Sequence, residues 1–248
     1  MGNKTIIIIG GLGLLGKEIV KHFSLKNFNI VVIDNRTLSK QIPEYFKKVS
    51  FYNSDITKIN LIKKTFEKIK KKFKRIDVII NCSYPKNNNY GAKFEKLKQK
   101  DLKENLFLQL GTAILIAQIS LKIFLKQKFG NFIMVSSIQG ISSPKFEHYK
   151  NTKMSSPIEY TASKSGIISI TKYLAKYYKN RNIRINCISP GGIKDKQPKK
   201  FIKKYREACL SKGLLNPGDI VGTIEFLISK ESSYINGQNI VIDDGWSL

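Results

Sequence analysis

The amino-acid sequence predicts an α/β fold, a doubly wound sheet of seven parallel strands flanked by helices, in one domain over residues 1–248. Seven short runs rich in Ile and Val recur along the chain, and helical patterns separate most of them. The runs are almost continuously apolar, as is typical of parallel strands with both faces buried. A glycine-rich turn joins the first run to the first helical pattern. These observations favour strand–helix–strand units with right-handed crossovers.

The predicted strands follow the apolar runs. They span residues 5–10, 29–34, 49–53, 77–81, 131–136, 183–189 and 238–243. The predicted helices span residues 14–26, 59–73, 101–127, 160–180, 198–212 and 217–228. Asn216 is expected to cap the last helix, because Pro217 suits the first helical position. The longest irregular segment, 138–158, is expected to be functional, because long loops are uncommon inside compact domains.

The chain is strongly basic, with a formal net charge of +26. Only five of its 44 basic residues are arginine, the residue favoured for bidentate phosphate recognition, and the lysines form no single patch. A compositional bias is therefore favoured over nucleic-acid binding, although the charge can help to draw in an anionic substrate.

Other features of the composition bound the class of protein. No apolar run approaches the ~20 residues of a membrane span, and the first residues lack a signal-peptide pattern. The cysteines Cys82, Cys187 and Cys209 are scattered, which indicates reduced thiols, and no His or Cys cluster indicates a metal site. We therefore expect a cytoplasmic protein with a small-molecule substrate and with no metal, membrane or nucleic-acid partner.

The stretch "IIIIGGLGLLGKEIV" lies at the junction of the first strand and the first helix. Glycines there permit a tight turn and let backbone N–H groups approach a pyrophosphate, which the helix N-terminus also favours. A Rossmann-type dinucleotide site is therefore predicted, and a ligand-free glycine turn is the alternative. The residues expected at this site are Gly10, Gly13, Leu14, Leu15 and Gly16.

Acidic and amide side chains follow the next strands. Asp34 ends the second strand, where a carboxylate accepts hydrogen bonds from the adenosine ribose of NAD, whereas the nearby Arg36 suits the 2′-phosphate of NADP. NAD is expected, with NADP as the alternative. Asp55, next to Ile56, either meets the adenine or caps the following segment. Asn81 ends the fourth strand, where its amide can tie neighbouring strands together beside the cofactor.

Tyr160 and Lys164, in "IEYTASKSGIIS", are four residues apart and share one face of a predicted helix. A lysine ammonium beside a phenol favours the phenolate and lowers the tyrosine pKa. A catalytic pair is one interpretation of this spacing, and a pair that merely packs on a helix surface is the other.

Several segments in order carry a resemblance to a known family. They are the glycine turn with Asp34, "DVIINCSY", "ENLFLQLGTA", "GNFIMVSSIQG", "EYTASKSG", "NIRINCISPGG" and "YINGQNIVIDDGWSL". The chain resembles the short-chain dehydrogenase/reductase family in its single-domain form, over nearly its whole length. The tail and the long loop are more narrowly similar to the sugar-pathway branch called flagellin modification protein A. In "NCSY", Cys82, Ser83 and Tyr84 replace the small residues usual after Asn81.

The resemblance implies a catalytic set. Tyr160 would protonate a carbonyl oxygen or act as the base in the reverse direction, and Lys164 would lower its pKa and hold the nicotinamide ribose. Ser137 would stabilise the substrate oxygen; it is chosen over Ser136 because "SIQG" matches the family spacing. Asn105 would hold a water that relays protons to Lys164, with simple surface exposure as the alternative.

The resemblance also implies the surroundings of the reaction. Pro190, Gly191 and Ile193 would shape the nicotinamide pocket. The extra residues of the 138–158 loop would lie over the substrate and contact it through Lys145, His148 and Tyr149, although a surface loop without ligand contact is the alternative. A homodimer or homotetramer is expected.

The implied function is an NAD(P)-dependent oxidoreductase that transfers a hydride between nicotinamide and a secondary alcohol or ketone, with a sugar or sugar phosphate of a surface-glycan pathway as substrate. One alternative is a nucleotide-sugar epimerase or dehydratase that recycles NAD. The other is a non-catalytic nucleotide-sensing or nucleic-acid-binding protein.

Overall fold

The computed structural model, which describes residues 4–38, 41 and 43–248, contains one sheet of seven parallel strands. Residues 1–3, 39, 40 and 42 of the predicted domain lie outside the described residues. The strand order is β3-β2-β1-β4-β5-β6-β7. The order reverses between β1 and β4, and in doubly wound sheets ligands bind beyond the strand ends at such a point. The predicted fold class is confirmed.

The strands agree with the predicted runs to within one or two residues. They are β1 (Thr5–Ile9), β2 (Asn29–Asp34), β3 (Ser50–Asn53), β4 (Val78–Asn81), β5 (Gly130–Val135), β6 (Ile183–Pro190) and β7 (Asn239–Ile242). The α-helices are α1 (Leu14–Ser24), α2 (Ile59–Phe73), α3 (Gln99–Leu106), α4 (Thr112–Gln127), α5 (Ile158–Tyr177), α6 (Lys199–Glu207) and α7 (Val221–Ile228).

The continuous apolar strands are buried on both faces, as β1 shows. Its alternate residues point to opposite sides of the sheet. Ile7 and Ile9 join a core with residues of α2, α4 and α5, whereas Ile6 and Ile8 join a core with residues of α1 and α7. This two-sided burial explains why the strands show no polar alternation.

The predicted helix 101–127 is interrupted. It forms α3, a π-helical turn (Phe107–Gly111) and α4, and Thr112 turns its hydroxyl back to the carbonyl of Leu108. The run Gln99–Gln127 is the one helix of the described residues that is long and apolar enough to cross a membrane by composition, and 44% of its most apolar window is buried. π-Helical turns are frequent at functional sites, and this one begins two residues after Asn105.

Two other predicted helices are shorter than expected. The predicted helix 198–212 ends at Glu207, because the backbone N–H groups of Ser211, Lys212 and Gly213 donate to the carboxylate of Asp244. The predicted helix 217–228 begins as a 3₁₀ turn (Pro217–Ile220) before α7, with the N–H of Asn216 donating to Asp219. The long segment 138–158 carries two short 3₁₀ helices, Ile138–Gly140 and Phe146–His148.

Candidate active site

A cleft of about 600 Å³ lies at the carboxyl ends of the strands. This is where ligands bind in doubly wound sheets. The predicted cofactor and catalytic residues that line it are Gly10, Gly13, Leu14, Leu15, Asp34, Arg36, Asp55, Ile56, Tyr160, Lys164, Pro190, Gly191 and Ile193. The other predicted residues, Gly16, Asn81, Asn105 and Ser137, do not line it. The sequence therefore predicts most of this wall.

The glycine turn is too tight for side chains at two positions. Gly10 has a φ of +78°, and a Cβ there would lie 2.9 Å from the backbone of Ser83. A Cβ on Gly16 would overlap the carbonyl of Gly10. The close packing opens the first turn of α1 to the cleft, so its backbone can hold an anionic group.

The end of β2 carries an ion pair. The guanidinium of Arg36 donates to both carboxylate oxygens of Asp34, at 3.0 and 2.9 Å. The N–H of Leu12 adds a hydrogen bond at 2.9 Å. Burial acts to raise the pKa of Asp34, but the hydrogen bonds from Arg36 and Leu12 outweigh it and hold the pKa below its usual value. Asp34 is therefore a charged acceptor at the adenosine end of the cleft.

The side chains of Asp55 and Asn81 both accept hydrogen bonds from residues two positions further along the chain. Asp55 accepts from the N–H and hydroxyl of Thr57 at 2.9 and 2.8 Å, so it caps that turn while it also lines the cleft. The amide oxygen of Asn81 accepts from the N–H and hydroxyl of Ser83 at 3.2 and 2.6 Å. Both bonds stay close to the strand end that carries Asn81, and a tie between neighbouring strands through its side chain stays a prediction.

Tyr160 and Lys164 converge on the cleft. Lys164 donates to the carbonyl of Val135 at 2.9 Å, and its Nζ lies 5.5 Å from the centre of the Tyr160 ring. Burial lowers the pKa of Lys164 to about 8. Burial also raises the pKa of Tyr160, although a hydrogen bond with Ser137 opposes it. The predicted lowering of the tyrosine pKa is therefore wrong in direction here, because desolvation outweighs the hydrogen bond with Ser137. A neutral phenol is the form that a general acid needs.

Two adjacent serines after β5 have separate partners. Ser137 bonds the Tyr160 phenol and accepts from the N–H of Gln139 at 3.2 Å. Ser136 donates to the carbonyl of Lys164 at 2.7 Å. Ser137 thus lies beside the reactive hydroxyl, whereas Ser136 ties β5 to α5. The sequence missed this positioning role of Ser136.

Asn105 is fully buried, which excludes the surface alternative. Its amide oxygen accepts from the N–H of Asn87 at 3.0 Å, and its amide nitrogen donates to the Asn87 side chain at 3.1 Å. Its side chain therefore holds the segment that follows β4, and the water relay through Asn105 stays a prediction.

The comparisons with known proteins agree with this arrangement. A family model described as enoyl-(acyl carrier protein) reductase matches residues 14–247. The chain is 39% identical to the post-translational flagellin modification protein A of Campylobacter coli, covering 99% of each chain. It is 31% identical to the 3-oxoacyl-(acyl-carrier-protein) reductase FabG of Thermotoga maritima, over 98% of this chain and 97% of that one. A short-chain dehydrogenase of Leptospira borgpetersenii with bound NAD⁺ superimposes with a TM-score of 0.91 at 30% identity, covering 100% of this chain and 94% of that one.

The chain belongs to the short-chain dehydrogenase/reductase family. It is an oxidoreductase of that family.

At the nicotinamide end of this short-chain dehydrogenase, the segment after β6 forms one wall. A Cβ on Gly191 would lie 2.9 Å from the backbone of Asp243, so glycine permits that close approach. Ile193 bridges to Leu215, and its carbonyl accepts from Gln197 at 2.7 Å. Both residues line the cleft together with Pro190.

The predicted substrate residues of the 138–158 loop do not line the cleft of the dehydrogenase. His148 is buried in an aromatic cluster, with its ring centre 5.9 Å from that of Tyr205 and 6.2 Å from that of Trp246. Lys145 donates to the carbonyl of Trp246 at 3.1 Å and lies over its ring. These two placements contradict the expected substrate contacts, because Trp246 and the residues of α6 supply an apolar partner surface.

Tyr149 lies nearer to the reacting end. Its hydroxyl accepts from the amide of Gln139 at 3.2 Å, and its phenol interacts electrostatically with Tyr160. Burial raises the pKa of Tyr149. A substrate contact by Tyr149 stays a prediction.

The segment after β4 supplies a wall that sequence reasoning left without a role. Tyr84 packs edge-on against Tyr160, with ring centres 5.5 Å apart, and its hydroxyl bonds that of Tyr90. Pro85 and Lys86 also line the cleft. The available signal was the departure "NCSY", since an aromatic residue replaces a small one beside the cofactor site.

Proposed function

We propose that this chain catalyses NAD-dependent hydride transfer between nicotinamide and a secondary alcohol or ketone. One observation carries the proposal: the phenol of Tyr160 and the ammonium of Lys164 converge at the cleft wall, and the hydroxyl of Ser137 bonds the phenol. When bound, the nicotinamide supplies or accepts the hydride.

The three side chains provide the proton and the charge stabilisation. In reduction, the Tyr160 hydroxyl gives its proton to the substrate oxygen, and in oxidation the phenolate takes it back. The Ser137 hydroxyl donates to the same oxygen as charge develops there. The Lys164 ammonium, 5.5 Å from the ring centre, favours the phenolate that forms when the proton leaves.

The residues of the cleft fit a dinucleotide. Gly10 and Gly16 make a turn that a Cβ would fill, and this turn would hold the pyrophosphate. Asp34, charged and buried, would accept the adenosine ribose hydroxyls, which favours NAD. The NAD⁺ bound to the Leptospira relative supports the choice, and Arg36 keeps NADP as the alternative.

We propose a polar substrate, a sugar or sugar phosphate on a surface-glycan pathway. Similarity to the flagellin modification protein of Campylobacter coli over the full length supports this class. The FabG relative is named for an acyl thioester instead, so the comparison of these two classes is the decisive measurement.

The test is a screen of NAD(H) and NADP(H) against keto and hydroxy sugars, acyl thioesters and steroids. We expect turnover of sugars with NAD and a loss of about 10²–10⁴-fold in kcat for Tyr160→Phe. Tyr234→Phe is the matched control, because this tyrosine is fully exposed. Activity on acyl thioesters or steroids alone would overturn the sugar proposal. Turnover without a net change in nicotinamide absorbance would instead indicate an epimerase or dehydratase.

The assembly and location are part of the proposal. Large apolar or aromatic side chains are exposed on the helical run that carries Asn105 and on α5, among them Phe107, Ile114, Tyr173 and Tyr177. We propose that they form the contacts of a homodimer or homotetramer, which sedimentation velocity would detect and Ile114→Lys would weaken. Three free cysteines support a reducing, cytoplasmic compartment.

A further inference from the structure

The segment Tyr84–Tyr90 borders the reacting end of the cleft. The rings of Tyr84 and Tyr160 lie 5.5 Å apart, and Lys164 Nζ lies 5.5 Å from the centre of the Tyr84 ring. The hydroxyls of Tyr84 and Tyr90 are hydrogen-bonded to each other. A substrate at the Tyr160 hydroxyl would therefore lie close to this segment.

Lys86 is held against these two rings. Its Nζ lies 5.8 Å from the centre of the Tyr84 ring and 5.5 Å from that of Tyr90. Because the Tyr84 ring centre lies 5.5 Å from that of Tyr160, Lys86 Nζ lies no farther from the Tyr160 ring centre than the sum of 5.8 and 5.5 Å. A distance within this limit suits a charged group that is a few bonds away from a reacting carbon.

The α3 helix fixes the backbone of this segment. Besides its bonds with Asn105, the Asn87 amide donates to Asp101 and Glu104, both at 2.9 Å, and Asn89 donates to Asp101 at 3.0 Å. The carboxylates of Asp101 and Glu104 on α3 therefore accept hydrogen bonds from side-chain amides. The segment is anchored, and the charge of Lys86 is left unneutralised.

The cations of the cleft differ in their partners. Arg36 forms an ion pair with Asp34, and Lys164 is buried and bonded to Val135. Among the residues that the structure describes, no carboxylate lies within ion-pair distance of Lys86, which is exposed at the cleft. Lys86 is thus the cation of the cleft wall that is available to a ligand.

We propose that Lys86, with the rings of Tyr84 and Tyr90, forms a subsite for an anionic group of the substrate, a carboxylate or a phosphate. This inference rests on the proposed oxidoreductase function and names the substrate class of that site. The ammonium bonds the oxyanion, and the tyrosine rings contact the apolar atoms between the anion and the reacting carbon. Recognition of substrate charge would then lie on this segment and not on the 138–158 loop.

The first test measures binding of inorganic phosphate to the NADH-loaded protein by calorimetry, so that NADH occupies the pyrophosphate site. We expect Lys86→Gln to weaken phosphate binding by about tenfold, which corresponds to the loss of one charge-assisted contact. Lys86→Arg should retain it within about threefold. Lys93→Gln is the matched control, because this lysine is exposed on the same connection between β4 and α3 but outside the cleft wall.

The second test compares ketones and secondary alcohols that are matched except for a carboxylate, a phosphate or a neutral group. Lys86→Gln should raise KM for the anionic members by about tenfold with little change in kcat, and leave the neutral members unchanged. The anion with the larger Lys86-dependent difference identifies the natural group.

The outcomes separate the two proposals. Equal phosphate binding by the wild type and Lys86→Gln overturns the subsite. Turnover with the same anion preference in both proteins also overturns it, while the oxidoreductase proposal stands. Lys86-dependent phosphate binding without turnover of any member supports the subsite and contradicts the proposed reaction.

Discussion

The carboxylate of Asp34 and the guanidinium of Arg36 face each other in a two-point ion pair at the adenosine end of the cleft, with N–O distances of 3.0 and 2.9 Å. The carboxylate prefers ribose hydroxyls, whereas the guanidinium prefers a 2′-phosphate. Because the two groups bond each other, Arg36 weakens the preference of Asp34 for a ribose hydroxyl, and Asp34 weakens the preference of Arg36 for a 2′-phosphate. The pair therefore sets the balance between NAD and NADP.

Asp34→Ala is expected to shift that balance toward NADP. The change removes the ribose acceptor and the negative charge that repels a 2′-phosphate, and it frees Arg36 for bidentate binding. We expect the ratio of NADP to NAD specificity to rise by at least about tenfold, measured as the ratio of kcat/KM values.

A second ion pair provides the control. Arg75 pairs with Asp77 near the amino end of β4, far along the strand from the cleft. Arg75→Gln should leave the cofactor ratio unchanged. A shift of comparable size in the opposite direction for Arg75→Gln would show that the net charge of the protein, and not the adenosine site, sets the preference.

Ser137→Ala and Ser136→Ala are expected to separate chemistry from stability. Ser137 bonds Tyr160, so its loss should lower kcat by about 10²-fold and raise the apparent pKa of the general acid. Ser136 bonds the Lys164 carbonyl, so its loss should cost about 1 kcal/mol of unfolding free energy with a smaller effect on kcat. The pH–rate profile and urea unfolding measure these effects, and identical profiles for the two variants would contradict the assignment.

The fold was predictable because its signals are local. The isoleucines of β1 are buried on both faces and form a continuous apolar run, and glycines mark the turn where a Cβ cannot fit. Tyr160 and Lys164 were predictable for the same reason, since four-residue spacing places both on one helix face.

The remaining features depend on contacts between distant segments. His148 is buried because it packs against Tyr205 and Trp246, which lie more than 50 residues away in the chain, and no local sequence pattern indicates that cluster. The tyrosine pKa could not be predicted in direction from spacing, because desolvation depends on the whole surrounding wall. Lys86 was one lysine among many until the structure showed that Asn87 and Asn89 bond the nearby carboxylates of α3.

Gly16→Ala is expected to disrupt the dinucleotide site. The added Cβ would overlap the Gly10 carbonyl, so the turn would have to move, and NAD affinity measured by fluorescence titration should fall by at least about 100-fold. Gly222→Ala on α7 is the control, because a Cβ there meets nothing within 4 Å. It should stabilise the protein by up to about 1 kcal/mol with unchanged affinity. Similar NAD binding by both variants would contradict the pyrophosphate assignment.

Lys164 makes the stability depend on pH. Its pKa is about 8 in the folded protein, whereas the ordinary value of a lysine is 10.5. At a pH between these two values, Lys164 is protonated in the unfolded chain and largely deprotonated in the folded protein. Stability therefore rises with pH in that window. Relative to Lys164→Met, the wild type should gain about 2 kcal/mol of unfolding free energy between pH 7.5 and 9.5 in urea titrations. Parallel curves for the two proteins would show that the ammonium is not desolvated.

His148→Phe is expected to leave catalysis intact and to change the pH dependence of stability. Burial lowers the pKa of His148, so the folded protein holds this ring neutral while the unfolded chain protonates it below its ordinary value of 6.5. The wild type should therefore lose stability as the pH falls below about 6.5, and the variant should lose less. The kcat/KM of His148→Phe should stay within about twofold of the wild-type value. His22→Gln is the control at the only other histidine, which bonds Glu225 on α7, and its kcat/KM should also stay within about twofold. A tenfold fall in kcat/KM for His148→Phe with unchanged stability would contradict this placement. It would support the original prediction that His148 and its loop contact the substrate.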